Sequence, residues 1–175
     1  AHNRSLWLDE SWLALNIIGK SCMELFRPLD YHQVAPILFL QAEKLFSGIT
    51  PNSEHGLRLF PLLCYWLSLY LFYKLLGILF RELVPRLFAL TLFVFNSTLI
   101  YFSSEAKQYM TDVLVVIAVF YLLLKSYPKE AVKYWVLAGL GAVAIFASSI
   151  SPIILFCAGA CLLYEFFRGR ERHFG

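Results

Sequence analysis

Charge is scarce in this chain. Only 15% of its 175 residues are Asp, Glu, Lys or Arg and 59% are apolar, whereas a soluble domain is about one-quarter charged. Mean hydropathy is +0.65. Cysteine is sparse too, and the 4 present do not read as a disulfide framework. Cys64, Cys157 and Cys161 fall inside apolar stretches and Cys22 stands alone in a polar region. Cys157 and Cys161 share a helix face with no His or carboxylate beside them, which suits a helix contact better than a metal clip. There is no low-complexity tract and no internal repeat. No basic cluster is interleaved with polar, aromatic-bearing loops, which excludes a nucleic-acid surface. An initiating Met and a signal peptide are also missing. The chain opens at Ala1-His2-Asn3-Arg4 and stops in a charged stretch, so it reads as a piece of a longer protein.

The apolar residues that are present come in blocks, the pattern of a polytopic membrane protein. Five spans are expected, at 57–80, 84–102, 109–124, 134–149 and 152–167, against the ~20 residues a helix needs to cross. The last two are short and should turn on each other at Ser148-Ser149-Ile150-Ser151-Pro152, because Pro ends a helix and Ser satisfies freed backbone groups. Positive charge alternates between loops. Arg81 and Arg86 flank one, Lys125, Lys129 and Lys133 the next of that kind, and Arg168, Arg170 and Arg172 follow the last span. By the positive-inside rule these lie on the cytoplasmic side, which puts residues 1–56 and the 103–108 loop outside and 168–175 inside. Lys74 can snorkel from the first span. Tyr101 and Tyr109 on one side, and Tyr127, Tyr134 and Trp135 on the other, fit aromatic belts.

Residues 1–56 mix apolar and charged positions. Asp9 to Phe26 and Pro36 to Phe46 are expected to be amphipathic helices lying in the interface. The expected fold is therefore all-α, a membrane helix bundle preceded by an external region of interfacial helices.

Several residues can carry chemistry. Asp9-Glu10 is an acidic pair just outside the spans, although Leu-Asp-Glu-Ser-Trp also reads as a helix start with Asp9 as N-cap. The segment from Ser103 to Asp112 is the second cluster. A helix beginning near Ser104 would place Glu105, Gln108 and Asp112 on one face. Asp112 then enters the outer leaflet and needs a polar cavity or a partner. Arg58 and Lys107 are the external cations nearest the spans, able to hold a phosphate or to snorkel to anionic lipid. His32, beside Asp30 and Tyr31, is a candidate ligand or base. Asn96, inside an expected span, should hydrogen-bond to another helix.

Four segments in order carry a resemblance. They are Leu6-Trp7-Leu8-Asp9-Glu10, then Asp30-Tyr31-His32-Gln33-Val34-Ala35-Pro36-Ile37-Leu38, then Ser53-Glu54-His55-Gly56-Leu57-Arg58-Leu59-Phe60-Pro61, then Tyr101-Phe102-Ser103-Ser104-Glu105-Ala106-Lys107-Gln108-Tyr109. The chain resembles the GT-C membrane glycosyltransferases, in particular the bacterial relatives of the protein O-mannosyltransferases and of the lipid A aminoarabinose transferase. Their patterns are W-x-D-E-A/S, H-P-P-L-Y, S-E-x-x-x-R-L-P and Y-S-x-E-A/L-R/K-x-Y. Where they have His-Pro-Pro, this chain has His32-Gln33-Val34-Ala35-Pro36. The family's first span, later spans and any C-terminal soluble domain are missing, so the chain is expected to be a fragment of a larger GT-C fold.

The resemblance implies transfer of a sugar from a polyprenyl-phosphate donor to an acceptor (protein, lipid or glycan) outside the cytoplasm, with inversion, in a bacterial inner membrane. Asp9 would be the general base, with Glu10 and Glu105 completing the catalytic acids. Arg58 and Lys107 would bind the donor phosphate, and His32, Gln108, Tyr109 and Asp112 would line the substrate pocket. A divalent metal, Mg2+ or Mn2+, would sit between Asp9 and Glu105 if one is used. Two other classes stay open. A transporter or flippase component would have Glu105, Lys107 and Asp112 line a pathway. A non-catalytic membrane scaffold would use Asp9 only as a cap.

Overall fold

The structure is a computed structural model that describes residues 6–50, 53–125 and 131–171. Among these the chain is all helical. The elements in order are α1 (Leu8–Gly19), a 3-10 turn (Glu24–Phe26), α2 (Ile37–Ser47), α3 (Ser53–Leu79), α4 (Leu83–Val94), α5 (Ser97–Phe102), α6 (Tyr109–Lys125), α7 (Ala131–Ala147) and α8 (Ser151–Glu171). Tyr127, Lys129 and Arg172, named above for their charge or belt position, lie outside the described residues.

The Pro36 to Phe46 segment becomes α2, whereas Asp9 to Phe26 is not one helix: α1 stops at Gly19 and the 3-10 turn follows at Glu24–Phe26. Leu13, Ala14 and Ile17 of α1 recur at helical spacing, as do Phe39 and Leu40 of α2. They close one core with Leu25, with Leu57 from the start of α3, and with Ala106 from the distant 103–108 loop. At 25 cal/mol per Å2, each fully buried Leu or Ile side chain contributes about 1.5–3 kcal/mol. The N-terminal helices are thus held to α3 by burial. Gly56 sits where α3 passes the end of α2: a Cβ there would fall 2.5 Å from the Phe46 carbonyl oxygen and 2.8 Å from the Ser47 Cα.

α3 packs most extensively against α6. A second core joins them, built from Cys64, Tyr65 and Met110 with Phe60, Phe93, Phe102 and Leu114 packed around it. Large apolar side chains also face outward, among them Trp66, Leu67, Phe88, Leu92 and Phe156. In lipid such a surface carries no hydration cost.

Two sequence expectations change. The stretch 84–102 is not one helix. α4 stops at Val94 and α5 starts at Ser97, because the Asn96 side chain accepts from the backbone N–H groups of Thr98 and Leu99 at 2.9 and 3.1 Å. Asn96 therefore caps α5 instead of bridging helices, the usual preference of a short amide for local backbone. The count of five spans is also not established by helix length. Among the described residues, α3 is long and apolar enough to cross a bilayer, and the apolar stretches Leu83–Val94, Ala138–Ala147 and Ser151–Tyr164 are shorter.

The α7–α8 hairpin forms at the expected turn, and its stabilisation comes from another helix. Asp112 of α6 accepts the Ser148 hydroxyl at 2.6 Å and the Ser149 N–H at 2.9 Å. Ser148 is buried, so this carboxylate satisfies polar groups that the short turn exposes to an apolar surround.

Candidate active site

The site is assembled by the first turn of α1, the loop after the 3-10 turn, and the 103–108 loop. α1 begins with Trp7 as N-cap, so Asp9 is inside the first helical turn and is not the cap. Glu10 does the capping instead, accepting the Trp7 N–H at 3.2 Å. Its other oxygen accepts the Ala106 N–H at 2.9 Å, across 96 residues of sequence. Glu10 is only 1% exposed, so this strut joins α1 to the 103–108 loop through a carboxylate in a dry surround.

The 103–108 loop is not the start of α6, which begins at Tyr109. Glu105, Gln108 and Asp112 therefore do not share a helix face. The chain bends tightly instead, with the Lys107 N–H donating to the Glu105 carbonyl at 2.8 Å. The bend points the Ala106 N–H at Glu10 and sends the Lys107 side chain to Asp9. Lys107 Nζ lies 2.8 Å from Asp9 Oδ2 and donates to Gln33 Oε1 at 3.0 Å. Gln33 Nε2 in turn donates to Asp9 Oδ1 at 2.9 Å. The three side chains close a ring of hydrogen bonds.

Gln33 arrives there because its loop is pinned. Asn16 of α1 is buried and holds Asp30 at both ends: its Oδ1 accepts the Asp30 N–H at 2.8 Å and its Nδ2 donates to the Asp30 carbonyl at 3.2 Å. Lys20 pairs with the Asp30 carboxylate at 3.2 Å, and Tyr31 stacks on Trp12. Tyr31 and His32 then take left-handed φ angles of 59° and 53°, which cost non-glycine residues of order 1–3 kcal/mol each. That reversal brings Gln33 back over the start of α1.

The electrostatics follow from these contacts. Lys107, and then the Gln33 amide, hold the Asp9 carboxyl below its ordinary value of 3.8. Asp9 is ionised at neutral pH and its side chain is 58% exposed, while that of Lys107 is 10% exposed. The arrangement is a fixed, accessible carboxylate with a sheltered cation at its back. Deeper in, Glu43 of α2 is fully buried, and neither of its oxygens has a hydrogen-bond partner among the described residues. Burial, and then the Glu10 charge, push its carboxyl well above the ordinary range.

The other expected site residues divide. Glu105 is buried in the bend beside Lys107. Gln108 is half-buried, with its side-chain oxygen unpartnered among the described residues. Tyr109 packs its ring 4.6 Å from that of Phe102. Arg58 is half-buried one residue past Leu57, which packs in the same core as Ala106. His32 is exposed and adds no hydrogen bond to the ring. Asp112 is committed to the α7–α8 turn. Sequence reasoning missed Gln33 and Glu43. Glu43 was legible, since it lies three and four residues after Leu40 and Phe39 and so on their buried stripe. For Gln33 the only signal was its place beside His32.

The donor set does not fit a divalent metal. Among the described residues no group of three or more His, Cys, Asp and Glu is placed to hold one, and an ammonium already occupies the Asp9 carboxylate.

A sequence profile of the dolichyl-phosphate-mannose-protein mannosyltransferase family matches residues 34–174. The chain belongs to that family. These mannosyltransferases are membrane-associated glycosyltransferases, and the chain is a member of the GT-C class they fall in. The match takes in Arg58, Glu105 and Lys107, whereas Asp9, Glu10 and Gln33 precede it. No curated protein and no solved structure matches the chain.

Proposed function

We propose that this chain forms the catalytic part of a GT-C glycosyltransferase that moves a sugar from a polyprenyl-phosphate donor to an acceptor on the non-cytoplasmic face of a bacterial inner membrane, with inversion. In this reading the apolar stretches at 57–80, 84–102, 109–124, 134–149 and 152–167 are the spans, and α1, α2 and the 103–108 loop lie outside. The observation that carries the reading is the meeting of Asp9 with Lys107 at 2.8 Å. An exposed acid and a sheltered cation from segments far apart in the sequence fit an acceptor and a phosphate.

The acceptor hydroxyl attacks the anomeric carbon from the side opposite the phosphate. The new C–O bond forms as the bond to the phosphate oxygen breaks, and that electron pair leaves on the polyprenyl phosphate. The hydroxyl proton passes to an Asp9 oxygen. A weak base suffices, because the hydroxyl becomes acidic only as its oxygen bonds to the oxocarbenium-like carbon. Lys107 and Arg58 neutralise charge growing on the phosphate. Glu105 orients the acceptor, Glu10 positions the two segments, and Gln108 and Tyr109 line the pocket.

The test is transfer by the full-length protein from a panel of polyprenyl-phosphate-linked sugars. Transfer of one sugar with inverted anomeric configuration supports the reading. Retained configuration, or transport of a solute with no sugar transfer from any donor, overturns it.

A further inference from the structure

We infer that Gln33 is a positioning residue for the transfer, fixing the spacing between the Asp9 carboxylate and the Lys107 ammonium. The inference rests on the reading of Asp9 as base and adds a residue to it. Gln33 touches both charged groups at once, at 2.9 Å to Asp9 Oδ1 and 3.0 Å to Lys107 Nζ. Its amide orientation is forced by chemistry. A carboxylate only accepts and an ammonium only donates, so the NH2 must face Asp9 and the carbonyl must face Lys107. A side chain offering one donor and one acceptor side by side satisfies both neighbours. Glu, Lys and Met do not.

The surrounding loop serves this placement. Asn16 clamps Asp30, Trp12 stacks on Tyr31, and two successive left-handed residues turn the backbone so that position 33 faces α1. Backbone strain of that kind persists only where the surroundings over-determine it. It falls in the stretch where this chain has His-Gln-Val-Ala-Pro in place of His-Pro-Pro. Asp9 left with Lys107 alone could swing, because its side chain is 58% exposed. The second bond gives each Asp9 oxygen a partner and holds the carboxylate in one orientation. With one ammonium proton on Asp9 and one on Gln33, the third is left for a phosphate.

The charged or titratable groups around this ring among the described residues include Lys107, Glu105 and Tyr109 from the facing segment, Glu10 on the Asp9 helix and His32 beside Gln33. A change at position 33 leaves each of these groups in the chain and removes the Gln33 bonds to Asp9 and Lys107, so the pH profile reads that ring of contacts. The experiment compares full-length wild type, Gln33→Met, Gln33→Glu and Asp9→Asn in the sugar-transfer assay across pH, with thermal melts of each. Gln33→Met keeps the side-chain length and loses both bonds. It should lower kcat about ten-fold, the worth of one charge-assisted hydrogen bond, with the donor KM little changed. Gln33→Glu sets a second carboxylate against Asp9 and should move the acid limb of kcat/KM to higher pH than in either other active protein. Gln33 variants with wild-type kcat and an unmoved acid limb, alongside an inactive Asp9→Asn, overturn this inference alone. A lowered melting point with an unmoved acid limb also overturns it, because that is the signature of a loop tether. Full activity in Asp9→Asn overturns the base reading and this inference with it.

Discussion

Lys107→Met separates a catalytic cation from a structural one. The substitution keeps the length of the stem and removes the charge. The lost contacts are the 2.8 Å ion pair with Asp9 and the 3.0 Å hydrogen bond to Gln33. Asp9 is more than half exposed, so solvent screens the pair, and such pairs contribute about 0–1 kcal/mol to stability. Removing Lys107 also relieves the desolvation of a nearly buried ammonium. The melting point should therefore fall by less than about 4 °C. The catalytic loss is larger, because a preorganised donor facing developing charge is worth about 100- to 1,000-fold in kcat. The sign of the pH effect follows from the contact. Asp9 acts while ionised, so activity persists above its pKa and is lost as pH falls through it. In the wild type that limb lies below 3.8, and without Lys107, the largest cause of the lowering, it moves up. The assay is transfer kinetics across pH on detergent-solubilised full-length enzyme, with a melt on the same sample. Turnover within about three-fold of wild type, with an unmoved acid limb, would refute the assignment.

Other expectations follow from particular contacts. Asp112→Ala removes both bonds to the α7–α8 turn and should destabilise by about 2–3 kcal/mol in thermal melts, since hydrogen bonds to charged groups are the stronger kind; an unchanged melt would show the turn closes without it. Glu43→Leu should stabilise by about 1–3 kcal/mol at pH 7, because it removes a buried acid lacking partners. Folded Glu43 holds its proton above 4.5 where the unfolded chain releases it, so wild-type stability falls as pH rises from there and the gain should be larger at pH 7 than at pH 5. Equal destabilisation at both would contradict this. Cys22 is exposed in the external region and should react with a membrane-impermeant maleimide added outside spheroplasts, with Cys22→Ser as control; labelling only after lysis would invert the proposed orientation.

The helical class was legible because apolar periodicity is a local property of the chain. The turn at 148–152 was legible for the same reason: Ser and Pro dictate it locally. The break at Asn96 was hidden by apolar residues on both sides, which read as one span until the amide is seen to cap α5. The start of α6 was misplaced because Glu105 and Gln108 look like first-turn residues. Their loop is instead shaped by Glu10, and a partner 96 residues away leaves no trace in local pattern. Lys107 was legible as a cation near the spans, whereas its pairing with Asp9 was not, because the two lie far apart in sequence. The part played by Gln33 depends on a strained reversal at Tyr31 and His32. Left-handed φ at two non-glycine residues is a tertiary outcome that the sequence does not announce.

The central claim is that the exposed Asp9 carboxylate takes the acceptor proton. Asp9→Asn tests it with one atom changed, in single-turnover transfer by the full-length enzyme loaded with its polyprenyl-phosphate sugar. The account predicts that the chemical step slows by about 100- to 10,000-fold, the usual worth of a general base, while donor binding and melting point stay near wild type. A variant that transfers sugar at the wild-type rate would contradict it.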